Sequence, residues 1–157
     1  MERNPGGLIT DYLIGQEIIQ NHGTWLTCKW SSGQSLSKDR MTKINDQHIL
    51  YVLNHDLVNL KKVKGIELSG RIKITDTSLI NITNKCPSLV WLVIDGCVKI
   101  TDTGIAAIVE KFGAQLKALI YWGCVKCGDA AFESIVMHCT QLELLEANNT
   151  GITVIPL

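Results

Sequence analysis

The chain repeats itself. The stretch "VKGIELSGRIKITDTSLINI" from Val63 is answered by "LVWLVIDGCVKITDTGIAAI" from Leu89, so Ile74-Thr75-Asp76 returns as Ile100-Thr101-Asp102, 26 residues on. A third copy, "LKALIYWGCVKCGDAAFESI", begins at Leu116, and a degenerate fourth, "LELLEANNTGITVIP", at Leu142. A period of this size rules out most folds, because a unit so short cannot bury its own apolar face and must stack on its neighbours.

The pattern inside each copy defines the unit. In the second, Leu89, Leu92 and Ile94 point inward from a strand, Cys97 and Ile100 carry the core through a turn, and Ile105 and Ile108 sit three apart on one helical face. Thr101 or Asp102 is placed to cap that helix, as Thr75-Asp76 is one copy earlier. These features predict an α/β fold: a short leucine-rich-repeat solenoid, parallel strands on the concave side and helices on the convex side. Residues 57–157 hold about four repeats, the last degenerate, and residues 1–56 are expected to form an α/β capping domain. Within it, Leu8 to Gly23 reads as an amphipathic helix, Trp25 to Trp30 as a strand, Ser31 to Lys43 as a loop, and the segment around Ile49, Val52 and Leu53 as a second helix.

Strand alternation also predicts what faces solvent on the concave side. One row is Gly65, Trp91, Ala118 and Leu144; the next is Glu67, Val93, Ile120 and Glu146; the third is Ser69, Asp95, Trp122 and Asn148. Trp91, Val93, Ile120, Trp122 and Leu144 form an apolar island rimmed by Glu67, Asp95 and Glu146. Such a patch marks a protein partner, and tryptophan is over-represented among binding hot spots.

The remaining candidates for chemistry are weaker. Cys124-x-x-Cys127 with His138-Cys139 offers a dithiol or zinc reading. The repeat opposes it, since Cys124 aligns with Cys97 and Cys127 with Ile100, both core slots. Periodic free cysteines are expected to pack as small hydrophobes in a reducing compartment. There is no phosphate-cradling loop, nucleophile elbow or HExxH helix, so the chain is expected not to be an enzyme and to require no cofactor. Fifteen basic residues balance fifteen acidic ones, which argues against a nucleic-acid partner. The longest apolar run, Leu89 to Ile94, is far too short to span a bilayer.

Two resemblances add to this reading. "CPSL", "GCVKITDTGI" and the turn-slot cysteine resemble the cysteine-containing leucine-rich repeats of F-box proteins, implying a substrate receptor of a ubiquitin ligase in the cytoplasm or nucleus. Over nearly the whole chain, the order of Asp11-Tyr12-Leu13, His22-Gly23, Trp25 to Trp30, an Ile-Asn-Asp helix and "NLKKVKGIELSGRIKITDTSL" is similar to the family of mitochondrial ATP synthase coupling factor B and distal membrane-arm assembly component 2. That resemblance implies a non-catalytic protein peripheral to the matrix side of the inner membrane. Its partner would be the membrane sector of ATP synthase or a respiratory complex, and its role to support coupling of proton flow to ATP synthesis or complex assembly. It also implies Mg2+, with Gly15 and Asp46 the nearest matches to the family's metal-binding positions.

Overall fold

The computed structural model describes residues 2–3, 12–14, 17–22, 24–30, 44–54 and 59–153. They form one mixed sheet of eight strands in chain order, with four helices along one side. The first strands are β1 (Glu2–Arg3), β2 (Tyr12–Ile14), β3 (Glu17–His22) and β4 (Trp25–Trp30), paired antiparallel in succession. Then come β5 (Gly65–Glu67), β6 (Trp91–Val93), β7 (Ala118–Ile120) and β8 (Leu144–Glu146), each parallel to the one before, with β5 parallel to β4. The helices are α1 (Asp46–Asn54), α2 (Asp76–Lys85), α3 (Asp102–Phe112) and α4 (Asp129–His138), each packed on the next.

The repeat explains the core. Ile66 and Leu68, Leu92 and Ile94, and Leu119 and Tyr121 project from successive strands toward the helices and are fully buried, as are Ile74, Ile100 and Cys127 in the turn slot. Each strand runs on into a turn with a left-handed residue, Gly70, Gly96 and Gly123. In the degenerate fourth copy this residue is Asn149, at φ 54°, and asparagine is among the few side chains tolerated there. The turns stay in ladder register: Gly70 donates to Asp95 O at 2.6 Å, Gly96 to Trp122 O at 2.7 Å and Gly123 to Asn148 O at 2.9 Å.

Two N-terminal expectations need revision. Leu8 to Gly23, expected as one helix, carries two antiparallel strands, β2 and β3, with Tyr12 opposite Ile19 and Leu13 opposite Ile18. A helical and a strand reading both fit this short apolar run. The exposed edge of β4 decides between them, because it offers β3 a full ladder from His22↔Trp25 to Glu17↔Trp30. Aromatic and β-branched residues suit such a ladder, while Gly15 weakens a helix. The expected loop from Ser31 to Lys43 lies outside the described residues.

The second revision concerns where the repeat begins. Leu26 on β4 pairs with Ile66 in the same register that joins Ile66 to Leu92, and Ile44-Asn45-Asp46 starts α1 as Ile74-Thr75-Asp76 starts α2. Leu26 and Ile44 are buried, as are Ile49, Val52 and Leu53, expected as the apolar stripe of this helix. A strand-helix unit therefore precedes the first recognisable copy. Its period is hidden because its strand and helix lie ten residues further apart, 20 from Leu26 to Asp46 against 10 from Ile66 to Asp76.

Every helix begins with an aspartate, and its carboxylate serves the next unit. Asp46 accepts from Thr75 N (2.9 Å), Thr75 Oγ1 (2.6 Å) and Ser78 Oγ (2.6 Å). Asp76 accepts from Thr101 N (2.8 Å) and Oγ1 (2.6 Å), Asp102 from Gly128 N (2.7 Å) and Ala131 N (3.1 Å), and Asp129 from Thr153 N (2.8 Å) and Oγ1 (2.6 Å). Thr75 and Thr101 are the helix caps proper, accepting from Thr77 N and Thr103 N. Of the two candidates at these starts the threonine is the cap, and Asp46, Asp76 and Asp102 instead tie the next helix start to their own. The slot facing each carboxylate must be small, and it holds Ser78, Gly104 and Ala131. A Cβ on Gly104 would run into the Asp76 carboxylate.

Two outcomes follow from this ladder. Gly104→Ala, which on helix propensity alone should stabilise α3 by about 1 kcal/mol, is expected to lower stability by about 1–2 kcal/mol, because it displaces a charge-assisted acceptor; urea unfolding measures the sign. Burial would raise the Asp46 carboxyl, but hydrogen bonds from Ser78 and Thr75 together bring it below its ordinary 3.8. The native state then binds fewer protons than the unfolded chain, so this rung contributes fully above the ordinary value and is lost as pH falls through the native one. Asp46→Asn should thus lower the urea midpoint at about pH 6, with the difference from the parent shrinking as pH falls through the native value.

Candidate interaction face

The register assembles two of the three expected rows: Gly65, Trp91, Ala118 and Leu144 are neighbours across β5 to β8, as are Glu67, Val93, Ile120 and Glu146; the third, Ser69, Asp95, Trp122 and Asn148, lies just past the strand ends, where the turns stay bonded to one another. Within them the side chains differ in availability. Trp122 is 49% exposed and Leu144 43%, Glu146 is exposed, and Val93, Ile120, Asp95 and Glu67 are half-buried. These residues form the open part of the face.

Trp91 is differently occupied. Its ring stacks on Trp25 of β4 with centroids 5.6 Å apart and planes 8° from parallel. Gly65 lies between them in the row, and a Cβ there would come within 2.5 Å of the Trp25 ring. The glycine is therefore what lets two tryptophans meet across a strand. Half-buried Trp91 closes one end of the face, and Ala118, its neighbour, is buried. No periodic signal announces this pair, since Trp25 lies outside the recognisable copies.

The acidic residues interact. Asp95 accepts from Trp122 N at 3.1 Å, yet its carboxyl is held above its ordinary value, by burial first and also by the charges of Glu146 and Glu67. The three carboxylates thus share one field across the face. Along the adjoining lip, the turns present Ile72-Lys73, Val98-Lys99 and Val125-Lys126, all exposed. Acid sits on the sheet and base on its rim.

The cysteines have a structural account. Cys97 Sγ donates to Leu68 O and Cys124 Sγ to Ile94 O, both at 3.1 Å, and Cys127 Sγ to Ile100 O at 3.5 Å. Cys97 and Cys124 satisfy carbonyls of the preceding unit just past its strand, and Cys127 one at the start of its helix turn. Burial pushes the Cys86 thiol up to about 12, and the Cys127 thiol is also pushed up, by its hydrogen bond to Cys124 and then by burial. Neither is a ready nucleophile. No group of three or more His, Cys, Asp or Glu that could hold a metal occurs among the described residues. Of the positions implied for Mg2+, Gly15 lies outside the described residues, and both Asp46 oxygens are engaged by Thr75 and Ser78. The Asp46 surroundings are hydrogen donors, which suit a carboxylate and not the oxygen cage of a hard cation.

Tyr121 was not singled out in the sequence. It fills the core slot of Leu68 and Ile94, fully buried, with its hydroxyl lacking a hydrogen-bond partner among the described residues. At the far end of the stack, a hollow of about 460 Å3 is lined by Phe132, Leu145, Ala147 and Ile152 among others. These side chains are only partly covered because no further unit packs on them among the described residues.

No family model matches this chain, and no curated protein does. Among solved structures, it is similar to a chain in the crystal structure of the Rad7 and Elc1 complex in yeast, with a TM-score of 0.55 and 21% identity. The match covers 73% of this chain and 30% of that one, so this chain spans under a third of the other's length. At that identity the likeness speaks for the α/β fold. No described helix is long and apolar enough to cross a membrane.

Because a buried hydroxyl without a partner costs about 1–3 kcal/mol, Tyr121→Phe is expected to leave the fold intact and raise stability by about 1 kcal/mol. A lower urea midpoint for this variant would show that the hydroxyl is satisfied in solution.

Proposed function

We propose that this chain is a non-catalytic protein-interaction module: a leucine-rich-repeat solenoid, begun by an N-terminal α/β cap, that holds a protein partner on its concave sheet. The observation that carries this reading is the open island of Trp122 and Leu144 beside Val93 and Ile120, in register on a face that no described helix covers. Exposed apolar patches with polar rims mark partner sites, and tryptophan anchors dominate their energetics. The F-box-type receptor is the favoured version, because the repeats carry that class's turn-slot cysteine and because the structural likeness is to a chain solved in a two-protein complex.

The coupling factor B type of protein is the second reading. In its favour, the N-terminal segment with the Ile-Asn-Asp helix joins the array through Asp46, as a cap should. Affinity purification of the chain from cells separates the two: a cullin adaptor supports the first, while ATP synthase or respiratory subunits support the second.

With the partner in hand, Trp122→Ala combined with Leu144→Ala should weaken binding about tenfold or more, as loss of a hot spot does, at an unchanged melting temperature. Full binding by this variant would remove the concave face from the function.

A further inference from the structure

The three solvent-facing rows carry Glu67, Asp95 and Glu146 and, among the described side chains, no lysine or arginine. The chain as a whole is balanced, 15 against 15, so the balance is reached by segregation. Exposed Lys73, Lys99 and Lys126 lie along the lip, and Lys117, at the start of β7, already contacts Glu143 at 3.4 Å. Among the described side chains of those three rows, the carboxylates have no cationic neighbour.

Their arrangement is specific. Glu67, Val93, Ile120 and Glu146 form one row across four neighbouring strands, which places the two glutamates about 14 Å apart at ~4.8 Å per strand. Two aliphatic side chains lie between them. Asp95 and Trp122 stand two residues beyond the ends of β6 and β7, so the row is flanked by another acid and by the most exposed aromatic of the face.

We propose that the concave face binds an extended cationic segment of its partner, with two lysine or arginine side chains about 14 Å apart and an apolar side chain between them, set by the ~4.8 Å strand spacing. The inference rests on the interaction reading above. In an extended chain, residues i and i+4 lie about 13 Å apart and share a face with i+2, so a cation-x-apolar-x-cation segment laid across the strands matches Glu67, Val93 with Ile120, and Glu146. Its central side chain would meet the aliphatic pair and Trp122, and Asp95 would face either cation. The lysine lip disfavours acidic segments, so charge also sets which partners are refused.

The test uses the full chain, immobilised, against a displayed library of random twelve-residue peptides, with two variants in parallel. One is Glu67→Gln/Asp95→Asn/Glu146→Gln, which keeps hydrogen-bond acceptors at all three positions; the other is Trp122→Ala. Circular dichroism and melting of each confirm the fold. The expected result is enrichment of cation-x-apolar-x-cation peptides, lost at least about tenfold in the triple variant and weakened severalfold as salt rises through about 0.1 M, where screening reaches across the face. Peptides without cations that still depend on Trp122 would overturn the charge inference and leave the concave face as the binding site. Peptides indifferent to both variants, or no enrichment, would overturn both.

Discussion

The structure depends on a single carboxylate slot. Each helix opens on an aspartate; Asp46, Asp76 and Asp102 accept hydrogen bonds from groups that open the next helix, and Asp129 accepts from Thr153 in the last copy. A helix start leaves amides without intrahelical partners, and an anion there is favoured by both hydrogen bonding and the helix dipole. Here one charge serves the start of its own helix by position and that of its neighbour by contact. Stacking is therefore specified at the polar edge of the molecule as well as in its core.

Several otherwise unrelated residues follow from this contact. Ser78, Gly104 and Ala131 are small because a carboxylate from the preceding unit sits against them. In the third copy Gly128 replaces the capping threonine, and Asp102 turns to the amides of Gly128 and Ala131. The same economy appears one turn earlier, where Cys97 and Cys124 donate to carbonyls of the preceding strands. A thiol there is apolar enough for the core and still a donor.

The face inherits its properties from that stacking. Since every strand pairs in the same register, single substitutions in successive copies add up to rows, and a surface of defined charge arises from units that each contribute one or two residues. Acid collects on the sheet and lysine on the lip because those are two slots of one repeat. The N-terminal strands bound this surface at one end, where Trp25 lies on Trp91.

The unit, its inward residues, the position of its helix caps and the composition of the three rows are legible in the order of the residues, because alternation and helical spacing are local and the period states them repeatedly. So are α1 and the strand from Trp25 to Trp30. Only the tertiary structure decided that Tyr12–Ile14 and Glu17–His22 are strands, since a short apolar run has no preference until a sheet edge is offered. It likewise decided that β4 and α1 begin the stack across a longer connection, that the aspartates reach forward, and that Trp91 is half-covered while Trp122 stays open. Each of these is a contact between residues far apart in the chain, and a periodic pattern records which way a side chain points but not what it will meet.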